Sequence, residues 1–283
     1  MSEEQKAGEQ KTGEQKSGEQ KSGEMPFLDH LEELRSRLIW VGASVLTLSV
    51  MGFFLVTQFN VIGLLKAPFV TAMNDLSASP DFTSLIPDGQ LLFTSPTEPM
   101  SVTLKLSFVV GIIFAMPIII YHVWAFMSPA LFEREKKAVV PAVAGGFLLF
   151  LLGVAMAYFL VLPLGLRFLL GFQTQALTPM ITIGEYLRFA TRLILAFGVI
   201  FELPLVSLLL SFLGIISADT LRRYRRHALV GVAAVSAILT PADVLTMLMM
   251  MGPLVLLYEF SILLVAAVGR RQVAEHSSQA IAD

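Results

Sequence analysis

Apolar residues in this chain are not scattered in short alternating windows. They run on for lengths comparable to a membrane. A helix needs about 20 apolar residues to cross a hydrocarbon core of about 30 Å. Six stretches reach or approach that length, at about 38–58, 102–126, 138–162, 187–213, 227–240 and 244–268. Pro117 interrupts the second, Pro163 is expected to end the third, and Pro204 lies inside the fourth. The fifth offers about 14 residues before "LTPAD", or roughly 21 Å at 1.5 Å per residue. The sixth reaches Glu259 after a similar distance. The last pair is therefore expected to form a squat hairpin that thins the bilayer. The fold class read from these runs is an all-α integral membrane protein with six transmembrane helices, the fifth and sixth short.

Composition agrees. Hydrophobic residues make up 55% of the 283 and charged residues 15%, with a mean hydropathy of +0.73. Ten of the charges precede Met25, in a tail built on "GEQKT", "GEQKS" and "GEQKS". Residues 1–24 hold no large apolar side chain after Met1 and cannot bury surface, so they read as a disordered, solvated tail. Having no apolar core segment, that tail is not a signal peptide. The membrane domain is expected over 25–270 and a cytoplasmic C-terminal tail over 271–283. There is no cysteine, which removes disulfides, thiol catalysis and thiolate metal ligands.

Charge sidedness orients the plan. Arg35 and Arg37 precede the first span, and Arg134, Lys136 and Lys137 lie between the second and third. Arg222, Arg223, Arg225 and Arg226 lie between the fourth and fifth, and Arg270 and Arg271 follow the sixth. The alternate segments are poor in positive charge. Cytoplasmic loops carry the excess of Lys and Arg, so both termini are expected in the cytoplasm.

Two cytoplasmic segments carry acid that this rule does not require. In "FLDHLEELRSRLIW", Phe27, Leu28, Leu31, Leu34 and Leu38 share one helical face. Pro26 suits the first helical turn, and Glu33 and Arg37 are i, i+4 in the favourable order. The stretch reads as an interfacial amphipathic helix leading into the first span. A simple entry helix with solvated charges would look the same. The second segment, "SPALFEREKKAVVP", places Glu133 and Glu135 among Arg134, Lys136 and Lys137. Two carboxylates from separate segments can converge on a cationic ligand. The guanidinium fork of arginine matches a carboxylate bidentately.

Taken in order, "FLDHLEELRSRL", "YHVWAFMSPALFEREKKAVVP", "AYFLVLPLGLRFL", "FGVIFELPL" and "LTPADV" resemble the TatC family, the receptor of the twin-arginine protein translocase. The resemblance covers about residues 25–270. It implies six helices in a concave arrangement with both termini in the cytoplasm of a bacterial inner membrane. It implies recognition of a consecutive Arg pair in the signal peptides of folded cargo. The matching positions are Glu33 and Glu135 as carboxylates for the two guanidinium groups, with Arg35, Phe126 and Leu131 shaping the site. It also implies single-span Tat partners of the TatA or TatB type in an oligomeric complex, the proton-motive force as energy source, no cofactor and no nucleic acid.

Charges inside the spans need separate accounts. Glu202 in "VIFELPL" lies deep in the fourth span, where a carboxylate costs several kcal/mol unless neutralised or hydrated. It is expected to face the protein interior, either as a hydrogen-bonded structural group or as a polar recess used in transport. The resemblance matches an acidic residue there. Arg188 and Arg192 at the outer end match no motif. Arg188 can pair with Glu185 or snorkel outward, and Arg192 needs a partner such as Glu98 or Glu202. Glu259 is expected to snorkel to the cytoplasmic interface. Pro68 in "KAPF" matches a family motif and reads as architectural. Asp243 is expected to cap the sixth span after the "TPAD" turn. The methionines from Met247 to Met251 are soft side chains suited to a partner helix or to lipid.

Other function classes fare worse. An ion-coupled transporter would show matched halves with broken helix pairs, and no such internal symmetry is visible. There is no HExxH, no nucleophile elbow and no Walker A sequence. His30, His122, His227 and His276 are scattered.

Overall fold

The computed structural model describes residues 27–77, 91–127, 139–171, 181–240 and 244–282. Ten α-helices appear among them: α1 Phe27–Gln58, α2 Val61–Ser77, α3 Glu98–Met127, α4 Val139–Met156, α5 Leu162–Gly171, α6 Ile183–Ile200, α7 Leu203–Phe212, α8 Ala218–Arg223, α9 Arg225–Leu239 and α10 Val244–Ala282. Two compact units divide α1, one up to Ile39 and the other from Trp40 onward.

Five described segments are long and apolar enough to cross a membrane: Leu31–Gln58, Glu98–Met127, Val140–Gly171, Ile183–Phe212 and Val244–Val268. The fifth run of the sequence, α9, has only 15 residues and spans about 22 Å, as expected of a short helix. The sixth is longer than expected as an element, because α10 runs for 39 residues through the stretch read as a tail. Its apolar part up to Glu259 is nonetheless level with α9, since Arg225 Nη2 donates to Glu259 Oε2 at 2.6 Å. Tyr258 also donates to the Leu221 carbonyl at 2.8 Å, tying α10 to α8.

Proline acts differently in each span. Pro117 is carried inside α3 without ending it. Pro163 does not end the third span either, which corrects the expectation from sequence. A π turn, Ala157–Val161, precedes it, and Leu162 N–H bonds back to the Ala157 carbonyl. That wider i→i+5 turn absorbs the clash and the missing donor that proline brings, so the helix continues as α5. Pro204 does break the fourth span. Phe201 and Glu202 form the joint between α6 and α7, with Pro204 in the first turn of α7.

Packing in the larger unit follows the rule for helices in lipid, where close backbone approach replaces hydrophobic drive. At the crossing of α1 and α3, a Cβ on Gly52 would meet the Ser107 carbonyl oxygen at 2.5 Å, and one on Gly111 would meet Ser49 Cα at 2.6 Å. Only glycine fits either position. The core gathers Phe69, Leu162, Tyr186, Leu193, Phe197 and Leu254 from four helices. A smaller cluster, with Met116, Ile120, Trp124, Phe150, Leu205 and Leu209, joins α3, α4 and α7.

Helix α2 is clamped from beside its proline. Pro68 has no N–H for the Leu64 carbonyl. The Tyr158 hydroxyl donates to that carbonyl at 2.7 Å, and the Tyr186 hydroxyl donates to the next one, Leu65, at 2.5 Å. An Arg167–Asp75 ion pair ties α5 to the far end of α2. Pro68 thus leaves a carbonyl that a neighbouring helix takes up.

Candidate functional site

In the first unit the opening helix forms as the spacing of its leucines requires. Leu31, Leu34 and Leu38 stand exposed along it. Glu33 Oε1 accepts from Arg37 Nε at 2.9 Å and Nη2 at 2.5 Å. Both side chains are about one-quarter exposed, while Glu32 and Arg35 are open to the surroundings. The local pair that an ordinary entry helix would make is therefore present. It also holds the part-buried carboxylate in a defined orientation.

In the second unit, Phe126 lies half-buried in the last turn of α3, two residues after the fully buried Trp124. Trp124 anchors the end of α3 against the smaller core cluster. Leu131 and Glu135 lie outside the described residues, as do Asp243 and the rest of the "TPAD" turn after Thr240.

Glu202 sits at the α6–α7 joint, 8% exposed. A Cβ on Gly146 of α4 would lie 3.1 Å from its Oε2, so the absence of a side chain there makes room for the carboxylate. Its Oε1 has no hydrogen-bond partner in the structure. An unpartnered carboxylate among apolar side chains is costly. The arrangement can accept a donor, whether water or an incoming polar group. The backbone break adds to this capacity, because Pro204 cannot donate to the Ile200 carbonyl.

The remaining charges fall into place unevenly. Glu259 takes Arg225 as partner, which the sequence could have suggested, since both lie 17 residues from Ala242 in the turn. Glu98 does not pair with Arg192. Its Oε2 accepts from Thr94 N–H at 2.7 Å and its Oε1 from Gly184 N–H at 2.9 Å. Among the described residues neither Arg188 nor Arg192 has an ion pair, with Glu185 or otherwise. Reading the sequence missed Tyr158 and Tyr186 as clamps, and no local pattern marks them.

Comparison with known proteins gives the family. The family model for the Sec-independent protein translocase protein (TatC) matches residues 29–253. A TatC from Aquifex aeolicus (strain VF5) is 40% identical over 242 residues, covering 85% of this chain and 94% of that protein. A TatC from Escherichia coli O6:H1 is 35% identical over 237 residues, covering 84% and 86%. A crystal structure described as the twin arginine translocase receptor TatC superposes with a TM-score of 0.70 at 39% identity, over 83% of this chain and 97% of that one. The chain belongs to the TatC family of Sec-independent protein translocase proteins.

Proposed function

We propose that the chain is the signal-peptide receptor and assembly platform of a twin-arginine translocase, reading the Arg pair of its cargo with Glu33 and Glu135. The observation that carries this is Glu33. Its part-buried carboxylate is oriented by Arg37, on the same helix as an apolar span. The order of events follows from charge. The signal peptide arrives from the cytoplasm, a guanidinium meets Glu33, and the second meets Glu135. Charge-assisted bonds of this kind contribute about 1.5–3 kcal/mol each. Arg35, Phe126 and Leu131 match motif positions and are proposed to shape the site. Glu202 offers a polar recess within the membrane for the inserted peptide.

The remaining parts of the reading concern surroundings. The chain lies in a bacterial cytoplasmic membrane with both termini inside, which the basic segments at 134–137 and 222–226 favour. Single-span TatA or TatB subunits pack on the last two helices. Leu245, Leu248, Met249 and Leu256 stand exposed along α10, a soft apolar surface suited to a partner helix. The chain has no nucleotide motif, and transport draws on the proton-motive force.

The test is photocrosslinking in membranes. A photoreactive residue is placed beside the Arg pair of a twin-arginine signal peptide, and wild type is compared with Glu33→Ala and Glu135→Ala. Each substitution is expected to cut the crosslink about tenfold or more at unchanged protein level. Undiminished crosslinks in both variants would remove the two carboxylates from the site.

A further inference from the structure

At the end of the bundle away from the basic loops, a groove of about 710 Å³ opens between α3 and α6. Small-molecule sites span about 300–1,000 Å³. The groove is firmly built. Leu92 bridges to the residues before α6, with Leu92 N–H donating to the Ile181 carbonyl at 3.3 Å and Ile183 N–H to the Leu92 carbonyl at 2.7 Å. Glu98 then joins the starts of both helices through Thr94 and Gly184.

Its lining combines two chemistries. Lys105 and Arg188 face it from opposite helices, both exposed. Among the described residues neither has an ion pair. They lie about 10 Å and 8 Å inside the starts of their helices at 1.5 Å per residue. A cation at that depth needs an anion or must reach for water. The hydroxyls of Thr97 and Ser101 share the lining. Below them the wall is apolar, and Leu104 and Phe108 stand exposed one turn apart along α3, at 52% and 46%. Among the described residues Glu98 is the one carboxylate in the lining, and these residues bring two positive charges and one negative. Both oxygens of Glu98 are already held by backbone amides.

We propose that this groove binds a singly anionic phospholipid, with its phosphodiester between Lys105 and Arg188 and an acyl chain along Leu104 and Phe108. The net charge of the lining matches one phosphodiester. The polar mouth and apolar wall follow in the order that a lipid presents headgroup and tail. A soluble phosphate would leave the apolar wall unused. A lipid held there would seal the α3–α6 seam and neutralise cations that the protein itself leaves open.

The experiment uses the full purified chain in detergent micelles. Native mass spectrometry reads adducts with added dioleoyl-phosphatidylglycerol or dioleoyl-phosphatidylcholine. Wild type is expected to retain one phosphatidylglycerol in preference to phosphatidylcholine. The double variant Lys105→Gln/Arg188→Gln is expected to bind it about 30-fold more weakly, with unchanged thermal unfolding. Lys105→Arg/Arg188→Lys, which keeps both charges, is expected to recover most of the binding. Equal retention of the two lipids by wild type, or equal phosphatidylglycerol retention by wild type and the Gln variant, would overturn the proposal. So would a photoreactive residue at Leu104 that crosslinks in membranes to an acidic protein segment rather than to lipid. Signal-peptide crosslinking by the Gln variant is read alongside and is expected to persist, so failure here stays separate from failure of the receptor reading.

Discussion

Tyr186 shows what one hydroxyl does at a helix that lacks a donor. It is buried, and its bond to the Leu65 carbonyl is a long-range link between α6 and α2. Tyr186→Phe removes the donor and leaves that carbonyl sharing whatever the helix supplies. The expected loss is about 1–2 kcal/mol of stability, read as a lower midpoint of thermal unfolding in detergent. Tyr158→Phe is expected to cost less, because Tyr158 is less buried. Glu202 runs the other way. Its Oε1 lacks a partner in an apolar setting, so Glu202→Gln, which removes the charge and keeps the shape, is expected to leave the unfolding midpoint unchanged or raised. A drop of several degrees would mean that the carboxylate is a structural partner after all. Glu202 was legible in sequence as a carboxylate in an apolar run. The tyrosine clamps were not, because their acceptors lie 94 and 121 residues away along the chain.

Helices in this protein meet where small residues let them. Gly111→Val is expected to lower stability by about 1–3 kcal/mol, because a backbone rather than a mobile side chain stands in the way. Gly42→Ala on α1, the helix that Gly111 of α3 packs against, serves as the contrast. Nothing lies within 4 Å of its Cβ position, so the change is expected to be neutral or to stabilise by about 0.5–1 kcal/mol. Thermal unfolding of the two variants side by side checks the crossing. The α9–α10 hairpin is held at its open end by Arg225 and Glu259, which are 48% and 41% exposed. A double-mutant cycle with Arg225→Gln and Glu259→Gln is expected to give a coupling below about 1 kcal/mol, as exposed pairs do. The short length of α9 was readable from the distance to the turn. The continuation through Pro163 was not, since a π turn depends on how neighbouring helices accept its wider register.

At the scale of the whole molecule, the proposed orientation rests on basic segments that alternate along the sequence with segments poor in positive charge. The absence of cysteine makes the chain its own labelling background. Single variants Ser217→Cys and Ser95→Cys are expected to react with a membrane-impermeant maleimide from opposite sides, Ser217→Cys only after the cytoplasmic face is opened. Labelling of both from the same side would contradict the six-span path. That path matters for function, because Glu33 can read a cytoplasmic ligand only if the opening helix lies inside.

Hydropathy and charge placement by themselves determined that this chain is helical, membrane-embedded and basic on one side, because the bilayer imposes length and polarity on each segment independently of the others. The ordered motifs pointed to the family, and the opening helix showed its leucine face and its Glu33–Arg37 pair, both being local features of one helix. Tertiary structure alone decided that Tyr158 takes the Leu64 carbonyl left by Pro68 and Tyr186 the next one, where Gly52 and Gly111 let helices touch, and that Lys105 and Arg188 share one groove. These are relations between residues far apart in sequence, and the physical quantity that sets them is the packing of helices that each segment, read alone, does not contain.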